Sequence, residues 1–250
     1  MSTPVDISEA SGVRYLHFGS EWIQGAMRLR KPDALELEYT REMMMGLLFR
    51  ADPWPRSVLL IGLGAGSLTK FIYKNLPGTR ITVVEIEPKV HAVARQFFKL
   101  PAEDERLKIV IGDGVDYMSD GKRRFDAILV DGFDENARAG ALDSEPFYAA
   151  CRMRLTDKGV LAVNLFGQRR GYKAGVARLE RAFDGRVVIL PPGESGNVIG
   201  FGLGNDAIET DLNDLRQQAA ALKIRTGLDL KPTISRLQLT QSFPGGKLTV

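Results

Sequence analysis

Between residues 56 and 204 the chain repeats one pattern: a short apolar run, a turn, and a helix-like stretch. The runs SVLLI, RITVVE, LKIVI, DAILV and GVLAVNLF show almost no polar alternation. Strands of that kind are buried on both faces. Between them, SLTKFIYKNL, PKVHAVARQFF and SEPFYAACRMRL read as helices, with Pro88 in one first turn, Ser144 as an N-cap and Pro146 just inside it. A parallel sheet covered by helices on both sides satisfies such a sequence. The order breaks near its end, where RVVIL and NVIGFGLG are separated only by PPGESG. So short a loop joins antiparallel neighbours. The expected fold is α/β, a mostly parallel sheet ending in an antiparallel hairpin.

Two flanking zones complete the organisation. Residues 1–52 carry VRYLHFGSEWIQGAMRL, two β-like runs about Gly19 and Ser20 that read as a hairpin. DALELEYTREMMMGLLF follows at helical spacing until Pro53 and Pro55 stop it, and its methionines are expected to fill core. The division is a β-hairpin domain with a connecting helix over 1–52, a Rossmann-like ligand-binding domain over 53–204, and an extension over 205–250. That extension has a helix near TDLNDLRQQAAALK and then a polar tail.

Composition removes several function classes. The net charge is +3 and the basic residues are scattered, so no nucleic-acid footprint is expected. Arg28, Arg30 and Lys31 read as a solvated hairpin edge. No apolar run approaches the ~20 residues that cross a bilayer, and the N-terminus has no signal pattern. The expectation is a cytoplasmic protein with no membrane contact. The single cysteine, Cys151, suits a reducing compartment as a packed thiol. With only His17 and His91, far apart, no metal site is expected.

The chemistry gathers at strand ends. Gly62, Gly64 and Gly66 follow the first run of the sheet, Glu85 closes the second, Asp113 and Gly114 the third, and Asp131 the fourth. Each acid alone is an ordinary cap or turn residue. Together they fall where an open parallel sheet binds ligands, in the crevice outside its carboxyl ends. Glycine lets a ligand approach the backbone, and an acid about 20 residues further on suits ribose hydroxyls. A dinucleotide fingerprint would place its third glycine at 67, which here is Ser67. The G-x-G-x-G spacing and the terminal hairpin fit an S-adenosyl ligand better than NAD.

Over residues 13–204 the chain resembles the spermidine synthase (polyamine aminopropyltransferase) family. The resemblance is carried by REMM at 41–44, GLGAGS at 62–67, Glu85, GDG at 112–114, DGFDE at 131–135 and GESGNVIGF at 193–201. It implies a methyltransferase-like, Rossmann-type sheet and decarboxylated S-adenosylmethionine as co-substrate rather than a tightly bound cofactor. It further implies a small-molecule amine acceptor such as putrescine and a homodimer. Within it, Glu85, Asp113 and Gly114 would hold the donor beside the glycine loop, and Asp131 would be the general base; Gln24, on the hairpin, reads either as a further donor contact or as an edge-strand polar residue. Asp134, Glu42 and Tyr39 would meet the acceptor. The segment 132–143 would be a lid. The chain departs from the family pattern at Ala65, which stands where the family has a loop aspartate. Thr40 and Arg41 replace Tyr and His or Gln, leaving Tyr39 one residue out of register, and Gly193 or Glu194 replaces a hairpin tyrosine. Two alternatives therefore stay open: an S-adenosylmethionine-dependent methyltransferase on the same sheet, and a non-catalytic nucleoside-binding relative.

Overall fold

A computed structural model of the protein describes residues 4–19, 22–51, 53–134, 136–165, 172–238, 240 and 247–249. Ser20, Glu135 and Phe166, and residue 52 at the expected domain boundary, lie outside the described residues.

The N-terminal segment is a three-stranded antiparallel sheet of β1 (Asp6–Ala10), β2 (Val13–His17) and β3 (Gly25–Arg28). The expected hairpin corresponds to β2 and β3. The sequence reading missed β1, because DISEA is a largely exposed edge strand without an apolar run. Its place is fixed by backbone pairing, with Ile7 opposite Leu16. The helix expected over 33–49 begins only at α1 (Glu38–Met43) and tightens into a 3-10 turn over Met44–Phe49. Met43, Met44 and Met45 are buried in the main core, as expected.

The central sheet contains β4 (Ser57–Ile61), β5 (Arg80–Glu85), β6 (Leu107–Ile111), β7 (Phe125–Val130), β8 (Leu155–Leu165), β9 (Val187–Leu190) and β10 (Val198–Leu203). Their spatial order is β6-β5-β4-β7-β8-β10-β9. β4 to β8 pair in parallel, and β10 runs antiparallel to both β8 and β9. Between the parallel strands lie α2 (Ser67–Asn75), α3 (Pro88–Phe97), α4 (Gly114–Asp120) and α5 (Glu145–Met153). Between β8 and β9 comes α6 (Tyr172–Ala182), and neither it nor α4 was among the expected helices. Val58 and Leu60 face one core while Leu59 and Ile61 face the other, so a strand with two buried faces shows no polar alternation. At the amino edge, the Asp126 carboxylate accepts from Arg56 N (2.9 Å), Ser57 N (3.1 Å) and Thr156 Oγ1 (3.0 Å), tying three strands together.

Register positions the site. Ile61 pairs with Val84 and with Val130, and Val130 pairs with Val163. Gly62, Glu85, Asp131 and Asn164 therefore stand in one row at the carboxyl edge.

Beyond the sheet come β11 (Glu209–Asp211), α7 (Leu212–Thr226), α8 (Lys231–Leu237) and β12 (Lys247–Thr249). The tail read as polar is corrected here: it folds back, with β12 pairing β11, and with Ile234 and Leu237 entering the same core as Met45. Seven residues are too few for helical periodicity to stand out in sequence. Among the described residues, no helix is long and apolar enough to cross a membrane.

Candidate active site

The glycine loop leaves β4 through three residues of positive φ, Gly62 (+96°), Gly64 (+52°) and Gly66 (+67°). Gly62 is required for space as well. A Cβ there would lie 2.8 Å from the Asp131 carbonyl carbon and nearer still to its oxygen. The two strand ends touch because Asp131 N donates to Ile61 O at 2.9 Å. From the N-terminal sheet, Gly25 closes on the loop: a Cβ at Gly25 would meet Ala65 Cβ at 2.6 Å. Ser67 Oγ donates to Ala26 O (3.0 Å), clamping β3 to the start of α2.

The loop, the strand ends and the segment 22–25 enclose a cavity of about 410 Å³. Gly62, Gly64, Glu85, Asp113, Gly114, Gln24, Tyr39, Asp131 and Asp134 all line it. The buried Glu85 carboxylate accepts from Leu63 N (2.8 Å) and Glu87 N (2.9 Å), so it shapes the glycine loop while facing the cavity. Burial raises its pKa, and those backbone amides oppose the rise. Asp113 is also the N-cap of α4, accepting from Val115 N at 2.6 Å. Gly114 is side-chainless where a Cβ would press on Ile61 Cγ2 at 2.5 Å.

Asp131 is held by two side chains. Its Oδ2 accepts from the Tyr39 hydroxyl at 3.1 Å and its Oδ1 from Asn164 Nδ2 at 2.9 Å. Asn164 Oδ1 in turn accepts from Asn197 Nδ2 at 2.8 Å. Desolvation raises the Asp131 pKa above the ordinary carboxylate value, and the Asn164 and Tyr39 hydrogen bonds oppose the rise. Tyr39 is thus oriented toward Asp131 despite its displacement in sequence. Arg41 turns away, donating to Leu35 O (3.2 Å) and Glu36 O (2.7 Å).

Not every expected residue reaches the cavity. Gly66 does not line it, because it serves the turn into α2. Glu42 does not line it either: it is 1% exposed, and its carboxylate pairs with Arg236 of α8. Asp134 is exposed, and its Oδ1 accepts from Asn136 N and Arg138 N, both at 2.8 Å, which makes it a turn residue within its own loop. Asn164 and Asn197 were missed. Asn164 was findable, since it follows the apolar run GVLAV much as Asp131 follows its own.

The residues 37–165 match the model for the spermine/spermidine synthase domain. A polyamine aminopropyltransferase of Chromobacterium violaceum is 40% identical over 246 residues, covering 98% of this chain and 94% of the relative. The chain belongs to the spermine/spermidine synthase family. Among solved structures, human methyltransferase-like protein 13 in complex with SAH matches with a TM-score of 0.69 and 26% identity over 76% of this chain and 93% of that one. A spermidine synthase in complex with the transition-state analogue AdoDATO matches with a TM-score of 0.66 over 94% of this chain and 85% of that one. At 22% identity that second likeness concerns the fold. The family resemblance and the methyltransferase-like sheet expected from sequence are both borne out.

Proposed function

We infer that this family member moves an aminopropyl group from decarboxylated S-adenosylmethionine to an amine acceptor such as putrescine, with Asp131 as general base. The single observation that carries the reading is the Asp131 carboxylate, held from both sides by Tyr39 and Asn164 in the row that includes the glycine loop. Family membership supplies the class of transfer. An aliphatic ammonium has a pKa near 10, so freeing its lone pair at neutral pH costs about 4–5 kcal/mol. A carboxylate attracts the cation and accepts its proton as attack begins. The amine nitrogen then bonds to the propyl carbon while the carbon–sulfur bond breaks, and the sulfonium leaves as a neutral thioether. Alignment of nitrogen and carbon contributes roughly 7 kcal/mol or more.

In this reading Glu85, Asp113, Gly114, Gln24 and the glycine loop hold the donor, and Asp134 and Tyr39 face the acceptor. Residues 132–143 act as a lid. Residues 1–52 form the hairpin domain that supplies Gln24 and Tyr39 to the crevice, 53–204 the donor-binding domain, and 205–250 a C-terminal extension. The enzyme works as a cytoplasmic homodimer without a tightly bound cofactor. A methyl-transfer reading is favoured by one observation. Ala65, 2% exposed beneath Gly25, places no carboxylate that would repel the carboxylate of intact S-adenosylmethionine.

Calorimetric titration with each donor, followed by an acceptor screen, separates the two. Tighter binding of the decarboxylated donor and turnover of an amine support aminopropyl transfer, and Asp131→Asn must then lower kcat by about 10²–10⁴-fold. Unchanged turnover in Asp131→Asn removes the base assignment.

A further inference from the structure

The helix that carries Tyr39 is too short to hold itself. α1 spans six residues, and its N-cap position, Leu37, makes no side-chain cap bond. Helices of that length are not stable alone. Glu38 and Glu42 stand one turn apart on it and so share a face. Both are gripped by one guanidinium: Arg236 Nη1 donates to Glu38 Oε1 at 3.0 Å, and Arg236 Nη2 donates to Glu42 Oε1. The second oxygen of Glu38 accepts from Ser195 N at 2.8 Å, in the loop between β9 and β10. That same loop ends in Asn197, which holds Asn164.

Arg236 therefore closes a ring around the base. On one side it fixes α1 and hence Tyr39. On the other, through Glu38 and Ser195, it fixes the loop that orients Asn164. Gly193 leaves room for this: a Cβ there would sit 2.6 Å from Glu38 Oε1 and closer still to the guanidinium. Stability alone does not account for the arrangement. A buried ion pair recovers little more than its desolvation cost, and an apolar pair of similar volume does as well. Here the pair is also incompletely satisfied, since Glu42 Oε2 and Arg236 Nε are buried without hydrogen-bond partners among the described residues.

We propose that Arg236 is a positioning residue for the transfer, locking α1 and the β9–β10 loop so that Tyr39 and Asn164 hold the Asp131 carboxylate from opposite sides. The proposal rests on the aminopropyl-transfer reading above. It acts through hydrogen-bond geometry, so its signature is coupling to Tyr39 and not a uniform loss of activity.

The test is a double-mutant cycle on the full chain between Tyr39→Phe and the paired variant Arg236→Gln/Glu42→Gln, which removes the buried Glu42 charge together with its partner and leaves Glu38, a quarter exposed, its hydrogen bond from Ser195 N. Circular dichroism and a melting curve establish that the pair is folded, and Arg236→Lys serves as the conservative second variant. The expected result is a fall in kcat of about 30-fold or more for the paired variant, with the donor KM changed by less than about twofold. Addition of Tyr39→Phe then costs less than about threefold more. The acid limb of the rate profile moves to higher pH in the paired variant as in Tyr39→Phe, and Arg236→Lys recovers part of both effects. Wild-type kcat in the folded paired variant, multiplicative losses in the cycle, or an unmoved acid limb would each overturn the proposal. If the wild type transfers no aminopropyl group to any amine, the functional reading fails separately. Positioning is then decided by the Asp131 titration followed by carboxyl ¹³C NMR, which the paired variant must move in the same direction as Tyr39→Phe.

Discussion

Gly62→Ala tests whether the glycine loop and Asp131, the proposed general base, form one mechanical unit. Gly62 has φ +96°, a conformation that an L side chain adopts only under strain of about 1–3 kcal/mol. Its added methyl would also press on the Asp131 carbonyl, so the end of β7 must give way by roughly 1 Å. That movement strains or breaks the Asp131 N to Ile61 O bond, worth about 1 kcal/mol. The combined cost to unfolding is about 2–4 kcal/mol, readable by urea denaturation. The kinetic cost is separate: a displacement of about 1 Å at the reacting groups lowers kcat/KM by about 100-fold. Gly12→Ala is the control. It has φ +76° but nothing within 4 Å of the added Cβ, so it carries strain without collision. It is expected to lose stability and keep full activity. If Gly62→Ala matches Gly12→Ala in stability and stays within about threefold of wild-type kcat/KM, the close approach does not position the base.

Asn164→Ala removes a hydrogen bond that opposes the upward shift at Asp131, so the acid limb of kcat/KM moves to higher pH, measured across a buffer series. Asp131→Asn raises the melting temperature at neutral pH. The folded pKa of Asp131 is above its unfolded value, so ionisation opposes folding at every pH above that range, and the amide removes the opposition. Lys70 gives a different pH dependence. Buried at 1% exposure with Nζ on Phe98 O (2.7 Å), its amine is lowered by burial from 10.5 to about 8. Between those values the unfolded chain binds more protons, so stability rises with pH, by on the order of 2–3 kcal/mol. Urea melts at intervals from pH 7.5 to 10.5 should register this rise in the wild type and a smaller rise in Lys70→Met.

The sheet was legible because its physics is local. Ser57–Ile61 and Phe125–Val130 lie between two cores, an environment that suits runs without polar alternation. The cap at Ser144 was legible for the same reason, since it is satisfied within three residues. The N-terminal edge strand and α8 were not, because their order comes from partners distant in sequence. Glu42 illustrates the limit most clearly. Its motif marked it as an acceptor contact, yet its partner stands 194 positions away on a helix too short to announce itself.

By itself the sequence determined the α/β class, the row of glycines and acids at the carboxyl edge, and the family. Those follow from backbone conformation and strand burial, which neighbouring residues impose. Only the tertiary structure decided which polar atoms meet. Tyr39 reaches Asp131 although it is out of register, Arg41 turns away, and Asn164, Asn197 and Arg236 join the surroundings of Asp131. Hydrogen bonds of about 3 Å depend on strand register and on the docking of remote helices, and neither is encoded within the span of a motif.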